Sequence, residues 1–262
     1  MKNWKINKIK TTAPIDVQKK KTKSEFLNLQ RDIYSLQHLF YATHSKSLLI
    51  IFQGIDTSGK DGVIRKVFNC VNPLGVHATS FKAPCDMERE HDYMWRIYQK
   101  LPEKGMIQIF NRSYYEDIIV PTIQKSLSKS KIDKRYNFIN AFEKHLVEND
   151  TDIIKFYLHI SPEEQKSRIE ERLKNPLKKW KYSKEDKKSS EKWNDYMAVY
   201  ESIINRCNQV PWIIIPSDDK WYRDYMVASV IKKKLKSMRL KLPEQNALAL
   251  NDKAVEKNKK EN

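Results

Sequence analysis

Glycine is scarce in this chain, five residues among 262, so a motif that needs two glycines at a fixed spacing is not expected from composition alone. Cysteine is scarcer still. Cys70, Cys85 and Cys207 are odd in number, far apart and in no metal-like pair, and the six histidines are scattered. A disulfide framework and a zinc motif are thereby excluded. The thiols read as unpaired, buried structural residues of a protein in a reducing cytosol. Long apolar runs are absent as well. "SLLIIF" and "WIII" are far too short to cross a bilayer, and no apolar stretch follows the basic N-terminal residues as a secretory signal would require. No internal repeat is visible. Acidic charge is the last deficit: 33 Asp and Glu face 50 Lys and Arg, for a net charge of +17 and a pI near 9.6. That excess implies a polyanionic partner, whether nucleic acid, an anionic membrane or a phosphate polymer.

What the chain does have is a rhythm. Its length suits one large domain or one domain with an excursion. Residues 1–23 hold eight lysines against one aspartate and read as a flexible basic arm. From Ser24, a plausible cap, the spacing of Phe26, Leu29, Ile33, Leu36, His38, Leu39 and Phe40 suits an amphipathic helix. Apolar runs of strand length follow at 48–53, 75–81, 106–110, 153–160 and 212–216. Helical patterns separate them at about 60–71, 86–100, 116–149 in two pieces, 161–174, 187–207 and 219–237. Alternation of this kind predicts an α/β fold, a parallel five-stranded sheet covered on both faces, over residues 24–237. The segment "RLKNPLKKWKYSKEDKK" (172–188) interrupts it with eight basic residues against two acidic ones and an interleaved Trp180 and Tyr182. Residues 238–262 read as a polar, lysine-rich tail.

"IIFQGIDTSGKDG" (50–62) turns a buried strand into Gly-x-x-x-x-Gly-Lys. Gly54 to Lys60 would wrap backbone N–H groups around a phosphate at the start of the next helix, with Lys60 bridging its oxygens. The Ser or Thr that usually follows the lysine and holds Mg²⁺ is Asp61 here, and Asp56 lies inside the loop. A carboxylate cannot face a phosphate without a cation between them. Mg²⁺ between Asp56 and phosphate oxygens is the simplest arrangement. Asp61 reads as a first-turn acid favoured by the helix dipole.

"IFNRSYYEDIIVP" (109–121) places Arg112 where a strand ends, at the edge that faces the ligand crevice in open α/β sheets. Asn111 stands where an Asp is usual. Glu116 and Asp117 follow at a distance that could put one of them on a shared metal. The basic segment 172–188 occupies the place of a mobile lid in P-loop kinases of small substrates. No Ser, His or carboxylate arrangement looks built to deprotonate a hydroxyl. A phosphate acceptor, already anionic, would need no base, and the protein's work would be to neutralise and align two polyanions.

These motifs resemble the polyphosphate kinase 2 family, in order: "GIDTSGKDG" (54–62), "FKAP" (81–84), "HDYMWRIYQKLPEKG" (91–105), "IFNRSYYEDIIV" (109–120), "NPLKKWKYSKED" (175–186), "WNDYMAVYE" (193–201) and "IPSDDKWYRDYMV" (215–227). The resemblance runs from about Ser24 to Lys236. It implies a three-layer P-loop kinase fold with an α-helical lid at about 172–190, and Mg²⁺-dependent, reversible phosphoryl transfer between inorganic polyphosphate and ADP/ATP, with AMP as a further acceptor. It places Asp56 and Lys60 in the phosphate loop, Arg112 in the Walker B motif, and Arg172 and Lys181 in the lid. Asn111 followed by Glu116–Asp117 resembles the subgroup that phosphorylates both nucleoside mono- and diphosphates. The expected catalytic set is Asp56, Lys60, Arg112 and Asp117; the expected phosphate or nucleotide contacts are Gly54, Thr57, Gly59, Lys60, Lys66, Arg172 and Lys181; the expected metal ligands are Asp56 and either Asp117 or Glu116. A cytoplasmic homo-oligomer is expected, with neither membrane nor nucleic acid as partner. Two rival readings remain: an ATP-dependent kinase of the thymidylate-kinase type, which leaves the positive charge unexplained, and a nucleic-acid-binding module, which leaves Asp56 without a purpose.

Overall fold

The structure is a computed structural model that describes residues 3–180 and 189–242. Strand β1 (Ser47–Gln53) is buried along its whole length. Its side chains alternate between two apolar layers: Leu48, Ile50 and Phe52 face one, Leu49 and Ile51 the other. Parallel neighbours β3 (Ile107–Asn111) and β4 (Thr151–His159) flank it, with β2 (Val76–Ser80) beyond β3 and β5 (Trp212–Pro216) beyond β4. The strand order is β2-β3-β1-β4-β5. The chain therefore leaves β1 toward one side of the sheet and returns to build on the other, which makes the C-terminal end of β1 a switch point.

Among the described residues, helices α1 (Lys19–Thr43) and α2 (Lys60–Val67) bracket β1. Single turns α3 (Asp86–Arg89) and α4 (Trp95–Tyr98) lead to β3, and α5 (Glu116–Gln124) and α6 (Lys129–Glu148) lead to β4. Helix α7 (Pro162–Lys174), short α8 (Pro176–Lys179) and α9 (Trp193–Arg206) lead to β5, which α10 (Lys220–Ser237) follows. Phe26, Ile33 and Phe40 of α1, Val63 and Val67 of α2, and Val227, Ile231 and Leu235 of α10 cover one face of the sheet. Ile118 of α5, Ile139 and Phe142 of α6, and Ile203 of α9 cover the other. Each such side chain contributes about 1.5–3 kcal/mol when fully buried. This is the expected three-layer, all-parallel P-loop kinase arrangement, with strand positions within a residue or two of those read from the sequence.

The N-terminal residues differ from the flexible arm expected for 1–23. Ile6 is fully buried, its N–H donates to Glu201 (3.0 Å), and Trp4 exchanges two hydrogen bonds with Asn205 of α9. Thr11 accepts from the Asp218 N–H (3.0 Å), and the Ala13 N–H donates to Asp219 (3.0 Å). Two apolar residues among many lysines suffice to dock the strand-free segment, because its backbone finds side-chain partners far along the chain. Helix α1 begins at Lys19 with Gln18 as its N-cap, not at Ser24. Of the three thiols only Cys207 is buried; Cys70 and Cys85 are exposed, correcting the expectation for those two.

Both tyrosines of "RSYYED" belong to the core. Their hydroxyls donate to Glu143 of α6 (2.8 Å from Tyr114, 2.6 Å from Tyr115), and Lys155 of β4 donates to the same carboxylate (2.7 Å), to the Tyr115 hydroxyl and to the Cys207 carbonyl. Lys155 and Glu143 have no exposed side-chain surface. This network anchors the segment just after Arg112. Glu143→Gln would leave Lys155 buried without its counter-charge, a loss of about 3–5 kcal/mol. The expected result is a Tm lower by roughly 10 °C, read by calorimetry.

Candidate phosphate-binding site

The phosphate loop leaves β1 at Gly54 and enters α2 at Lys60 with an unusual backbone. Thr57 has φ 69° and Gly59 φ 98°. The φ at Gly59 is one that L side chains rarely adopt, and a Cβ there would lie 2.0 Å from the Arg223 guanidinium, which would have to shift. Arg112, just past β3, has φ 64°, and its N–H is tied to the Phe52 carbonyl (3.0 Å). Non-glycine residues in this region cost about 1–3 kcal/mol each and are retained where a side chain must be aimed. Buried polar atoms without a hydrogen-bond partner among the described residues gather here too: Gln53 Oε1, Thr57 Oγ1, Ser58 Oγ and Gln165 Oε1. Buried orphans are rare in folded proteins and point to a site made for a ligand.

Three of the residues expected from sequence converge. Asp56 forms an ion pair with Arg112. Lys60, 7% exposed, donates Nζ to the carbonyls of Gly54 (2.7 Å) and Ile55 (3.2 Å). Burial alone would raise the Asp56 carboxyl, but Arg112 and Lys60, with Arg172 adding to them, hold it below its ordinary value. Burial, helped by Arg112, lowers the Lys60 ammonium to about 8 against the pull of Asp56, Glu116 and Asp61. Arg112 is held above its ordinary value: burial works against its charge, and Asp56 and Glu116 outweigh it. Glu116 accepts from Gln53 (3.2 Å) and shares the field of Arg112 and Lys60, so it stands on the loop's side. Asn111, the last residue of β3, donates its amide to Asp61 (2.6 Å). An aspartate at 111 would set two carboxylates against each other there, which gives the departure from the usual Asp a local reason.

Asp117 keeps other company. Its carboxylate lies 3.9 Å from Arg135 of α6. Pro121, inside α5, lacks the N–H that would bond the Asp117 carbonyl, and the Arg135 guanidinium takes that carbonyl instead. Burial raises the Asp117 carboxyl to about 6, with Arg96 and Arg135 opposing and Glu116 and Asp92 reinforcing. The unfolded chain binds its proton less tightly, near the ordinary value of 3.8. Asp117 therefore costs the fold progressively more as pH rises from about 4 to about 6, up to about 3 kcal/mol above that. Asp117→Asn removes this term. Its Tm relative to wild type is expected to climb by several degrees between pH 4.5 and pH 7.5; a constant offset would show that Asp117 does not titrate in this range.

Other expected residues divide. Arg172, in the last turn of α7, lies within electrostatic reach of Asp56. Lys66 is exposed in the last turn of α2, about 9 Å along the axis from Lys60, so the structure does not bring it to the loop. Lys181 lies outside the described residues, as do 182–188 of the expected lid and 243–262 of the tail.

Sequence reading passed over several contributors. Gln165 of α7 donates to the Asp56 carbonyl (3.2 Å), and Arg168 donates to those of Thr57 (2.9 Å) and Ser58 (3.1 Å). Their signal was present: Gln165, Arg168 and Arg172 recur at intervals of three and four and so share one helix face. Tyr200 of α9, fully packed, also feels Glu116, Asp56 and Arg112. Among the described residues no three His, Cys, Asp or Glu side chains form a ready metal cage. No described helix is long and apolar enough to cross a membrane.

Comparison with known proteins agrees with this geometry. The family model Polyphosphate kinase 2 matches residues 16–243. The chain is 39% identical over 218 residues to the AMP/ADP-polyphosphate phosphotransferase of Meiothermus ruber, covering 82% of each. It is 40% identical over 223 residues to the ADP-polyphosphate phosphotransferase of Rhodopseudomonas palustris, covering 80% of this chain and 77% of that one. The crystal structure of Polyphosphate Kinase 2 from Arthrobacter aurescens TC1 matches with a TM-score of 0.88 at 32% identity, over 95% of this chain and 93% of that one. A glycine-bounded loop at the switch point of a parallel sheet, with the motifs of one family in order around it, thus has one assignment: the chain belongs to the polyphosphate kinase 2 family.

Proposed function

We propose that the protein transfers phosphoryl groups reversibly between inorganic polyphosphate and nucleotides, taking nucleoside mono- or diphosphates to di- or triphosphates, with ADP and ATP as the main pair. The observation that carries this reading is the meeting of Asp56, Lys60 and Arg112 at one loop. These groups bind and neutralise phosphate. His159, at the end of β4, is engaged instead with the backbone of Ile6 and Ile9. Two phosphate chains brought together need charge neutralisation and alignment more than they need a base. The relatives from Meiothermus ruber and Rhodopseudomonas palustris, named for AMP/ADP and ADP as partners of polyphosphate, support the substrate class.

The donor set also fits Mg²⁺, which is commonly held by one or two carboxylates together with phosphate oxygens rather than by an all-protein cage. Asp56, kept ionised by its cationic neighbours, and Glu116 would hold it. Bound there it would supply positive charge between the loop and the phosphates. Lys60 would exchange its carbonyl partners for phosphate oxygens, and Arg112 would offer its planar fork to the group in transit. Arg172 and the basic residues after it would follow the polyphosphate chain. A cytoplasmic setting and self-assembly complete the proposal; the three free thiols suit the former.

The test is to incubate the protein with Mg²⁺, long-chain polyphosphate and ADP or AMP, without ATP. Formation of ATP from ADP is the expected result. An ATP-dependent nucleoside monophosphate kinase would give no product from polyphosphate, and a nucleic-acid-binding module would give none under any condition.

A further inference from the structure

We propose that Arg168 is a positioning residue that sets which way the peptide groups of the phosphate loop face, and that it links this setting to the helix bearing Arg172. The inference rests on the loop's phosphate-binding role proposed above. Arg168 is 6% exposed, and its guanidinium donates to four carbonyls and one carboxylate. Nη1 donates to the carbonyls of Thr57 (2.9 Å) and Ser58 (3.1 Å), Nη2 to those of Ser217 (2.6 Å) and Asp218 (3.0 Å), and Nε to Glu164 (2.7 Å). One turn earlier Gln165 holds the Asp56 carbonyl (3.2 Å). One face of α7 therefore captures three successive carbonyls of the loop.

A trans peptide is planar, so a carbonyl held outward turns the next residue's N–H the opposite way. Holding Asp56, Thr57 and Ser58 directs the N–H groups of Thr57, Ser58 and Gly59 away from α7. The Ser58 N–H is spent on the Ile55 carbonyl (3.1 Å). Those of Thr57 and Gly59 remain for an anion, together with the first N–H groups of α2. If the Ser58 peptide turned over, a carbonyl oxygen would replace an N–H, and the loop would repel the phosphate it is built to hold. Arg168 needs a fork for this task. A lysine has one nitrogen and cannot span two pairs of carbonyls and a carboxylate at once. The same residue joins α7 to the turn after β5, which the N-terminal segment also grips through Thr11 and Asp218. Arg172, one turn further along α7, then acts on Asp56 from a helix whose register against the loop Arg168 has fixed.

The experiment uses the full chain as wild type, Arg168→Lys, Arg168→Ala and Glu164→Gln, with three readouts: Tm, kinetics of transfer from polyphosphate to ADP, and calorimetric binding of tripolyphosphate. Arg168→Lys is expected to melt within a few degrees of wild type yet lose about 100-fold in kcat, the scale of a small misplacement of catalytic groups. Its tripolyphosphate affinity should fall at least tenfold while KM for ADP stays within threefold. Added guanidinium at tens of millimolar should restore at least tenfold of the activity lost in Arg168→Ala, and sodium chloride at equal ionic strength should not. Glu164→Gln keeps an acceptor for Nε but removes the charge of a partly exposed carboxylate, which loosens the hold on the guanidinium. It keeps the test open if both Arg168 variants fail to fold, with kcat expected several-fold lower at unchanged Tm. Full activity and full tripolyphosphate affinity in a folded Arg168→Lys or in Glu164→Gln would overturn the proposal, as would losses that follow Tm alone with no guanidinium rescue. If wild type binds tripolyphosphate but transfers nothing to ADP, the functional reading fails while the binding readout still decides the role of Arg168.

Discussion

Lys60→Met is expected to abolish transfer, by about 10³-fold or more in kcat, without lowering Tm appreciably. The first half follows from position. Lys60 is the ammonium of the loop, held between the carbonyls of Gly54 and Ile55 at the start of α2. The second half follows from its proton affinity. The folded protein holds the Lys60 proton at about 8 against an ordinary 10.5, so the unfolded chain binds that proton more tightly. Stability therefore rises with pH between about 8 and 10.5, and near neutrality the charged lysine costs the fold about 3 kcal/mol. Methionine removes that cost, but takes away the Lys60 donor from the Gly54 carbonyl, which costs about 1–3 kcal/mol, while the Ile55 carbonyl keeps the Ser58 N–H (3.1 Å). The two offset each other. A phosphate bound beside Lys60 would raise its proton affinity again, so binding near pH 8 should take up protons, visible as a buffer-dependent heat in calorimetry. A folded Lys60→Met with near-normal turnover would remove the residue from the catalytic set.

Asp56→Asn is the second large effect. It keeps size and a hydrogen-bond acceptor but removes a charge that Arg112 and Lys60 hold in its ionised form. If that carboxylate recruits the cation, activity at ordinary Mg²⁺ should fall about 10²–10³-fold, with partial recovery at high Mg²⁺ or with Mn²⁺. Asp61→Asn, whose carboxylate is already engaged by Asn111, is expected to shift the metal dependence little. The measurement is a metal titration of initial rates for the three proteins. An Asp56→Asn enzyme with wild-type metal dependence would mean that the loop carboxylate serves Arg112 alone.

Strand positions and the loop were legible because both are written locally. A doubly buried strand needs a continuous apolar run, and a phosphate loop needs glycines at fixed places. The docked N-terminal segment was not legible. The bond from the Ile6 N–H to Glu201 spans 195 residues and leaves no periodic trace, while the surrounding lysines argue for solvent. Glu116 and Asp117 are adjacent, and only Pro121 and Arg135 reveal that they serve different neighbours. Lys66 matched the expectation of a basic residue after the loop, yet one and a half helical turns carry it from Lys60 to the far end of α2. Arg168 left only a helix face shared with Gln165 and Arg172, easily passed over on a helix that is acidic at its start and basic at its end, because its purpose exists only where the loop folds against it.

The most direct test of the central claim follows phosphorus itself. Wild-type protein with Mg²⁺, polyphosphate and ADP, free of ATP, is monitored by ³¹P NMR over the course of the reaction. The account predicts that ATP β- and γ-phosphate signals grow while mid-chain polyphosphate signal is lost in equal amount, with no orthophosphate released and with reversal when excess ATP is supplied. Orthophosphate appearing in place of ATP, or product that forms only when ATP is supplied as donor, would contradict it.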